Sequence, residues 1–527
     1  MSMLVDFINW LDGGEVWGGL PMIVLLVGTG LFLTTVLKGG IQFRRLGGWS
    51  IRFTLFEGRK KTGEGGDISP FQALMATISG TVGIGNIAGV ATAIHYGGPG
   101  GALFWMWVTA LVGMATRYSE GLLGVAFRDK LPDGTMIGGT FNFLEKGFAM
   151  ENVPKTGKYL ASIFTLLFAV FIGYSAMSFS GALQIGAIIV AVLFAVLGLF
   201  LLKDDAYPTL GKVLAILFAT FASIAAFGIG NMTQSNSVAD AVRTAFNIPM
   251  WVSGLTLAIL TFIVIIGGIK RIGEVAEMLV PFMAIIYFLF AIGGVWIKFA
   301  GKLPSAFALI FKDAFTGKAV AGGAIGQVII WGVKRGLFSN EAGLGTATLA
   351  HAAAKTDHPA RQAHVAMLGP FIDTLIICTL TGVSIVVTEA YSLHPPELNG
   401  APPLTQAAFA SAFGHAGGEI MVAIGIVLFA YSTILAWSFY GRQNVMYLAK
   451  WLEQDPERFA RLYPRLHLIY NLLFVFFIYI GSVTKLETVW TFSDMMNGLM
   501  AIPNLIGLLV LFWFIREKTE EFVAANP

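Results

Sequence analysis

The chain has 527 residues, of which 56% are hydrophobic and 12% are charged, with a formal net charge of +3. Typical soluble domains carry about 25% charged residues, so this composition excludes a soluble enzyme, a nucleic-acid-binding protein and a disordered chain. The single cysteine, Cys378, excludes a disulfide framework and a cysteine-based metal site. The composition is that of a helical protein embedded in a lipid bilayer.

Thirteen apolar stretches follow one another along the chain, and about 20 apolar residues suffice to span a bilayer. They lie near 16–37, 70–95, 99–127, 159–180, 181–202, 210–230, 251–269, 276–297, 321–350, 364–390, 419–449, 466–482 and 493–515. The stretches 159–180 and 181–202 form one continuous apolar run. We predict a hairpin that turns tightly at residues 178–181, where the sequence reads SFSG.

The basic residues of the loops predict the orientation, because they concentrate on the cytoplasmic side. With the N-terminus outside, six of the 34 Lys and Arg residues fall in outer loops: Arg243, Lys298, Lys302, Lys312, Lys318 and Lys485. Three more (Arg117, Lys334 and Arg335) lie within spans, and the other 25 face inwards. We therefore expect a multi-pass plasma-membrane protein, in bacteria an inner-membrane protein, with an external N-terminus and a cytoplasmic C-terminus. The 159–202 pair does not alter this topology, so charge does not test the hairpin.

Glycines mark a break inside the second apolar stretch. Residues 80–89 read GTVGIGNIAG, and four glycines in ten residues make a poor helix. Irregular backbone survives at membrane depth only where it lines a cavity or is buried in protein. The alternative is close packing of small residues against a neighbouring helix. A dinucleotide-binding loop is excluded because no strand precedes the glycines.

A second break falls in the ninth stretch, where residues 334–346 read KRGLFSNEAGLGT. Glycine and charge are mixed there within an apolar context. The alternative is an ordinary cytoplasmic helix end, since His351 and Lys355 follow shortly.

The two breaks occupy matching positions, because each opens a set of five spans. We predict an extra N-terminal span and loop at 1–69, a first repeat at 70–298 containing the 159–202 hairpin, and an external linker at 299–320. A second repeat at 321–516 and a cytoplasmic tail at 517–527 complete the chain. Five is odd, so the second set is inverted, and inverted repeats with broken helices indicate a secondary transporter with a midplane site. Helix N-termini at such a site attract an anionic group and free carbonyls attract a cation, which suits a zwitterion with sodium.

Seven sequence blocks resemble the alanine or glycine:cation symporter family, and they extend over nearly the whole chain. They are 80–89 (GTVGIGNIAG), 97–107 (GGPGGALFWMW), 230–237 (GNMTQSNS), 336–345, 371–374 (FIDT), 431–437 (YSTILAW) and 495–504 (MMNGLMAIPN). The resemblance implies an all-α membrane protein with the leucine-transporter-like fold of five plus five inverted helices. It also implies sodium as the driving ion and alanine or glycine as substrate. The family plan has eleven spans, so the 159–202 hairpin looks like an insertion that makes thirteen.

The resemblance implies substrate contacts at Gly83, Gly85, Asn86, Gln234 and Thr433. Asn86 would contact the substrate carboxylate, although its alternative role is to cap the broken backbone. Gln234 ends the sixth predicted span, where the alternative is an exposed helix end. Trp437 lies four residues after Thr433 and therefore on the same helix face. We expect its indole to limit side-chain size, admitting alanine and excluding leucine, the alternative being packing or an interfacial position.

Sodium takes oxygen ligands, as other hard cations do. In this fold they would be carbonyls of the first broken helix together with hydroxyls of the eighth core helix. The candidates are Ser79, Thr81 and Val82 for the backbone, and Ser432 and Thr433 for the hydroxyls. The alternative is back-bonding of each hydroxyl to the preceding turn, and Thr433 is equally a candidate contact of the substrate amino group.

Charges inside spans are candidates for gating or ion pairing. Asp373 lies near the inner third of the tenth span, and Arg117 and Glu120 stand three residues apart on one helix and should pair. We expect Glu341 to act as a gate or to pair with Lys334 or Arg335. We favour a structural role for each of these groups over direct coordination of the ion or substrate.

The sequence thus predicts a sodium-coupled symporter that imports alanine first and glycine next by alternating access. No P-loop is present, so the ion gradient rather than ATP would drive uptake. A proton-coupled transporter is the first rival, and a channel is another. A membrane enzyme would need a nucleophile–base pair or clustered ligands, and none of the seven histidines has metal-ligand spacing within a span.

Overall fold

The computed structural model describes residues 20–37, 40–57, 65–130, 134–177, 181–203, 206–315, 324–393, 403–484 and 487–526. Within these ranges the regular secondary structure is helical apart from one antiparallel pair of two-residue strands, β1 (Asp129–Lys130) and β2 (Met136–Ile137), and an isolated bridge between Ile68 and Ala354. The all-α fold class predicted from the sequence is therefore confirmed.

The first half of the chain contains the first predicted five-helix set. The helices are α1 (Leu20–Val36), α2 (Pro70–Thr81), α3 (Ala88–Gly97), α4 (Gly101–Ala126), α5 (Thr140–Phe148), α6 (Lys155–Ala176), α7 (Gly181–Phe200), α8 (Tyr207–Phe246), α9 (Met250–Ile265) and α10 (Gly268–Trp296). Short helical turns at Ile41–Arg45, Leu46–Ser50 and Arg52–Glu57 follow α1. In the predicted first repeat, the broken pair α2–α3 and helices α4, α8, α9 and α10 would form the five-helix set, and α5, α6 and α7 lie between α4 and α8.

The second half of the chain contains the second set. The helices are α11 (Leu303–Ala314), α12 (Ala324–Asn340), α13 (Ala347–Ala352), α14 (Pro359–Val387), α15 (Pro403–Phe413), α16 (His415–Leu452), α17 (Pro456–Val483), α18 (Glu487–Val510) and α19 (Phe512–Ala525). Single 3-10 turns lie at Ala300–Lys302 and Ala390–Leu393. In the predicted second repeat, the broken pair α12–α13 and helices α14, α16, α17 and α18 would form the set, with α15 between α14 and α16.

Both predicted breaks are present. Helix α2 begins with a capping box at Ser69 and Gln72 and with Pro70 in its first turn. It ends at Thr81, and the chain turns by 62° before α3 continues. The second break separates α12 from α13, and Gly343 and Gly345 adopt positive φ values of 96° and 83° there. Glycine is needed at these two positions because other residues strain in that conformation.

Two predicted span boundaries are wrong. The stretch 210–230 does not end near Gln234, because a π-helical turn at Gly228–Met232 absorbs the irregularity and α8 continues to Phe246. Gln234 is 4% exposed and not an exposed helix end. The stretch 493–515 crosses a 60° bend between α18 and α19, which ends the straight helix at Val510.

The count of thirteen spans stays a prediction. Among the described residues six helices are long and apolar enough to cross a membrane, or up to eight if each bent pair counts as one span. Helices α6 and α7 pack against each other in the predicted hairpin. Three of the four residues of the turn predicted at 178–181 lie outside the described residues, as do 316–323 at the junction of the predicted linker and second repeat.

Candidate functional site

The break after α2 exposes backbone carbonyls to the middle of α16. Helix α2 leaves the helical conformation at Val82, whose ψ is 95°, and the Val82 carbonyl accepts from Thr433 Oγ1 at 3.2 Å and Ser432 Oγ at 3.4 Å. The Ser79 hydroxyl donates to the Ser432 carbonyl at 2.5 Å, and Ser432 Oγ lies 3.3 Å from the Ser79 carbonyl. The two helices are thus joined by a compact group of oxygen atoms.

Five oxygens of this group suit a monovalent cation, because hard cations prefer carbonyl and hydroxyl ligands. They are the carbonyls of Ser79, Val82 and Phe429 and the hydroxyls of Ser432 and Thr433. The Phe429 carbonyl was missing from the sequence prediction, because a backbone oxygen leaves no signature in its side chain. Both hydroxyls also back-bond to it, at 2.8 and 3.0 Å, so the back-bonding alternative coexists with the cluster.

Thr81 was predicted to contribute its backbone carbonyl to the sodium site, and that assignment stays a prediction. Its hydroxyl donates to the Ile78 carbonyl of its own helix at 3.2 Å. Thr81 also lines the cavity beside the oxygen cluster.

Removing one hydroxyl of the cluster gives the first testable prediction. Replacing Ser432 with alanine removes a ligand without changing the backbone, and loss of a group that supports a bound metal costs about 10- to 100-fold in affinity. For the sodium-coupled alanine uptake predicted from the sequence, we expect the half-saturating sodium concentration to rise about tenfold. Ser438→Ala is the matched control, because Ser438 is buried on the same helix and bonds only backward to Leu435 among the described residues. Equal sodium dependence in the two variants would contradict the assignment.

A narrow cavity of about 20 Å³ lies next to the cluster. This volume holds little more than one water molecule, so the site is contracted here. It is lined by Gly80, Thr81, Gly83, Gly85, Ile229, Gln234, Phe338, Glu341, Thr433, Trp437 and Asn497. The structure thus brings together five of the six residues predicted to bind substrate.

Asn86 is the sixth and lies behind the cavity wall. Its Oδ1 accepts from the Gly83 N–H at 2.9 Å, which is the capping role, and its Nδ2 donates to Asp373 Oδ1 at 2.7 Å and Ser339 Oγ at 3.0 Å. Asp373 Oδ2 accepts from the hydroxyls of Ser339 at 2.8 Å and Thr374 at 2.7 Å. Asn86 therefore links the first broken helix to the second through its hydrogen bond to Ser339 of α12.

Gln234 approaches the first break from α8. Its Oε1 lies 3.5 Å from the Ile84 N–H, and its Nε2 donates to the Ile229 carbonyl at 3.1 Å. The Ile229 carbonyl belongs to the π-helical turn Gly228–Met232, so the Gln234 side chain bonds to the bulge of its own helix beside the cavity. A Cβ built on Gly83 would lie 3.3 Å from Gln234 Oε1, so the amide closes one side of the site.

A buried charge cluster supports the second break. Arg117 donates to the Asn340 carbonyl through Nε at 3.1 Å and Nη2 at 2.6 Å. It also lies 3.7 Å from both Glu120 and Glu341. The predicted Arg117–Glu120 pair is present, whereas the expected pairing of Glu341 with Lys334 or Arg335 is wrong, because the chain turns Glu341 inward at the break, where its φ is 52°.

The two carboxylates have different surroundings. Glu120 Oε1 accepts from the backbone N–H groups of Gly343 at 3.0 Å and Gly345 at 2.9 Å, so it holds the loop between α12 and α13. Glu341 lines the cavity and accepts from Trp437 Nε1 at 3.2 Å and Thr346 Oγ1 at 2.6 Å. Glu120 therefore stabilises the backbone of the second break, and Glu341 presents a carboxylate to the cavity.

Sequence reasoning assigned no role to four lining residues, Gly80, Ile229, Phe338 and Asn497. Gly80 and Phe338 lie in the predicted breaks and Asn497 lies in a family block, so the sequence marked their segments without indicating a role for these side chains. No sequence pattern marked Ile229, because its position at the cavity depends on the π-helical turn.

Known proteins resemble this chain over nearly its whole length. The family model described as the sodium:alanine symporter family matches residues 1–202 and 208–526. The sodium/alanine symporter AgcS of Methanococcus maripaludis is 42% identical over 98% of both chains.

Two further relatives broaden the comparison. The probable sodium/glutamine symporter GlnT of Bacillus subtilis is 32% identical over 99% of this chain and 92% of its own. A sodium/proton-dependent alanine carrier protein of Bacillus sp. strain PS3 is 32% identical over 86% of this chain and 87% of its own. All three names describe cation-coupled carriers of amino acids. The chain belongs to the sodium:alanine symporter family.

Proposed function

We propose that this protein is a sodium-coupled symporter that imports small neutral amino acids, alanine first and glycine next. The observation that carries the proposal is the oxygen cluster of Ser79, Val82, Phe429, Ser432 and Thr433 beside a small cavity at the same helix break. Because Thr433 belongs to the oxygen cluster, bonds to the Val82 carbonyl and also lines the cavity, ion and substrate would stabilise the same contact between α2 and α16. This shared contact is a physical basis for coupling, since each ligand then favours the state that binds the other.

The substrate would lie across the first break. Its carboxylate would face the backbone at Gly83 and Gly85, where the 3-10 turn Ile84–Asn86 and α3 present N–H groups. Its ammonium group would face oxygens of Thr433, Gln234 and Glu341. Asn86 would hold this geometry from behind rather than touch the substrate.

Sodium-dependent uptake of labelled alanine into proteoliposomes tests the proposal. We expect uptake with an inward sodium gradient and background uptake when choline replaces sodium at fixed pH. Unlabelled glycine should compete less well than alanine, and leucine should compete poorly. Non-saturating flux would indicate a channel, and uptake in choline would contradict sodium coupling. An antibody tag at either end would test the proposed external N-terminus and cytoplasmic C-terminus.

Trp437 is proposed to limit substrate size. Its side chain packs directly against Gly230, where a Cβ would lie 2.4 Å from Trp437 Cβ, so only glycine fits opposite the indole. In Trp437→Phe the ring is smaller and the hydrogen bond to Glu341 is lost. One methylene in an apolar pocket is worth about 1–3 kcal/mol of discrimination, so we expect glutamine or leucine to compete with alanine at about tenfold lower concentration.

The matched control is Trp451→Phe, because Trp451 lies at the half-exposed end of the same helix. An unchanged competitor ranking in Trp437→Phe would remove the indole from the specificity determinants. An equal change of the competitor ranking in Trp437→Phe and Trp451→Phe would also exclude the Trp437 indole as a specificity determinant.

Proton coupling is the second candidate, and Asp373 is the observation that favours it. Its carboxylate is fully buried, and no cationic side chain of the described residues lies within ion-pair distance. A buried carboxylate without a counter-charge is stabilised when it binds a proton or a cation. Under sodium coupling this carboxylate only positions Asn86 and Ser339.

Asp373→Asn separates the two candidates. The new amide group would face the amide of Asn86, and a buried polar group left unsatisfied costs about 1–3 kcal/mol. We expect alanine uptake to fall about tenfold while sodium dependence and the pH profile keep their form. A proton carrier would instead show acid-stimulated uptake in choline that Asp373→Asn abolishes. Asp240→Asn, in an exposed ion pair with Arg243, is the control.

A further inference from the structure

A second cavity, of about 480 Å³, lies apart from the transport cavity. It opens where the turn between α9 and α10 faces α16 and α17. The polar part of its lining includes Gly267, Gly268, Lys270, Arg442, Tyr463 and His467. Ligand pockets commonly enclose about 300–1,000 Å³, so this cavity has the size of a binding site. The proposed symport mechanism gives it no role.

Arg442 is the central group of this cavity. It is 5% exposed, and its guanidinium donates to His467 Nε2 at 2.6 Å. A guanidinium has no acceptor, so the imidazole accepts this bond and leaves the positive charge uncompensated. The guanidinium also stacks near the Phe439 ring at 5.5 Å. Among the described residues no carboxylate lies within ion-pair distance of it, although buried charges are ordinarily paired.

A second positive feature faces Arg442. Helix α10 begins at Gly268, and its N-cap residue Gly267 supplies no side-chain cap. A Cβ built on Gly268 would lie 3.7 Å from Arg442 Nη2, so the guanidinium lies directly at this helix end. The N-terminus of a helix carries a partial positive charge and unsatisfied N–H groups. A buried guanidinium next to it is unfavourable unless an anion lies between the two.

We propose that this cavity binds a phosphate group, held by Arg442, by the first-turn N–H groups of α10 and by the Lys270 side chain. Arginine and helix N-termini are the two recurrent phosphate-binding elements of proteins. The acidic lining residue, Asp67, accepts the Met136 N–H at its Oδ2 at 2.8 Å. The phosphate would come from a phospholipid headgroup or from a soluble phosphate compound, because the cavity lies at the helix ends on the membrane face predicted to be cytoplasmic.

Thermal unfolding of the full-length protein tests the proposal. In neutral detergent, inorganic phosphate should raise the unfolding midpoint relative to chloride at equal ionic strength, because a ligand that binds the folded state stabilises it. In a second arm, micelles containing phosphatidylglycerol are compared with micelles of phosphatidylcholine. A shift with phosphate identifies a soluble ligand, and a shift with phosphatidylglycerol alone identifies a lipid headgroup. Either shift supports the site.

The variants locate the effect. Arg442→Gln should abolish the shift, and Arg271→Gln should keep it, because Arg271 is an exposed neighbour that pairs with Glu274 and does not line the cavity. Should Arg442→Gln fail to fold, Lys270→Gln changes only an exposed side chain and should raise the half-saturating phosphate or lipid concentration several-fold. The proposal is overturned if neither probe gives a specific shift, or if Lys270→Gln leaves the shift unaltered.

Discussion

Replacing Arg117 with alanine is expected to abolish transport and to destabilise the folded protein. Arg117 is fully buried and lies 3.7 Å from both Glu120 and Glu341, so its removal leaves two buried carboxylates without a counter-charge. Breaking a buried ion pair on one side costs about 3–5 kcal/mol. The variant also frees the Asn340 carbonyl at the end of α12, which accepts two hydrogen bonds from Arg117. The second break should therefore lose its shape.

The measurement is the unfolding midpoint of the purified protein together with alanine uptake in proteoliposomes. Arg243→Ala is the matched control, because Arg243 pairs with Asp240 at the same three-residue spacing but on an exposed surface. Exposed pairs contribute about 0–1 kcal/mol, so this variant should behave like the wild type. Arg117→Lys should be more stable than Arg117→Ala, because lysine keeps the positive charge. It should be less stable than the wild type, because lysine cannot donate both hydrogen bonds to the Asn340 carbonyl. An Arg117→Ala protein with unchanged midpoint and uptake would show that the cluster has no structural role.

The helix breaks and four of the five residues of the oxygen cluster could be predicted from the sequence, because they leave local marks. Glycine within an apolar span has a direct conformational meaning, and residues 80–89 and 336–345 show it without a structure. Ser432 and Thr433 could be named because hydroxyls are conspicuous in an apolar helix and because a family resemblance gave their place.

The partners of the buried polar groups were not accessible. Asn86 and Asp373 are 287 residues apart, and no local pattern indicates that their side chains bond at 2.7 Å. Glu341 was expected to pair within its own segment, but the positive φ at this residue directs it towards Arg117 on α4. The continuation of α8 past Gln234 depends on a π-helical turn, which apolar periodicity does not predict.

The two breaks also differ in what they leave available for a substrate. At the second break the N–H groups of Gly343 and Gly345 are taken by Glu120, so an external anion would have to displace a buried carboxylate. At the first break the Gly83 N–H is taken by the neutral amide of Asn86, the Ile84 N–H lies 3.5 Å from the neutral amide of Gln234, and Gly85 lines the cavity. This asymmetry favours the first break as the place where a substrate carboxylate binds. An added side chain at Gly83, which lines the cavity, should therefore disturb the site most.

Replacing Gly83 with alanine is expected to reduce alanine uptake by about 10- to 100-fold. A Cβ on Gly83 would lie 2.6 Å from Thr433 Oγ1, so the methyl group would enter the cavity and displace a hydroxyl of the cation cluster. The φ of −138° at Gly83 is open to any residue, so the effect is one of volume rather than of backbone strain. Overpacking costs about 1–3 kcal/mol, which corresponds to the expected loss, and both the alanine and the sodium concentrations for half-maximal uptake should rise together.

Gly89→Ala is the control in the same segment. A Cβ there would meet only Arg335 Cδ at 3.9 Å, and alanine is the better helix former, so uptake should stay near the wild-type level. A Gly83→Ala protein that shifts the alanine concentration alone would place the substrate at Gly83 but separate it from the cation. A protein with unchanged uptake would refute the site, because the cavity, the cluster and the break all meet at this residue. A joint shift is expected because the Thr433 hydroxyl borders the substrate cavity and belongs to the ion cluster, so one displaced atom weakens both.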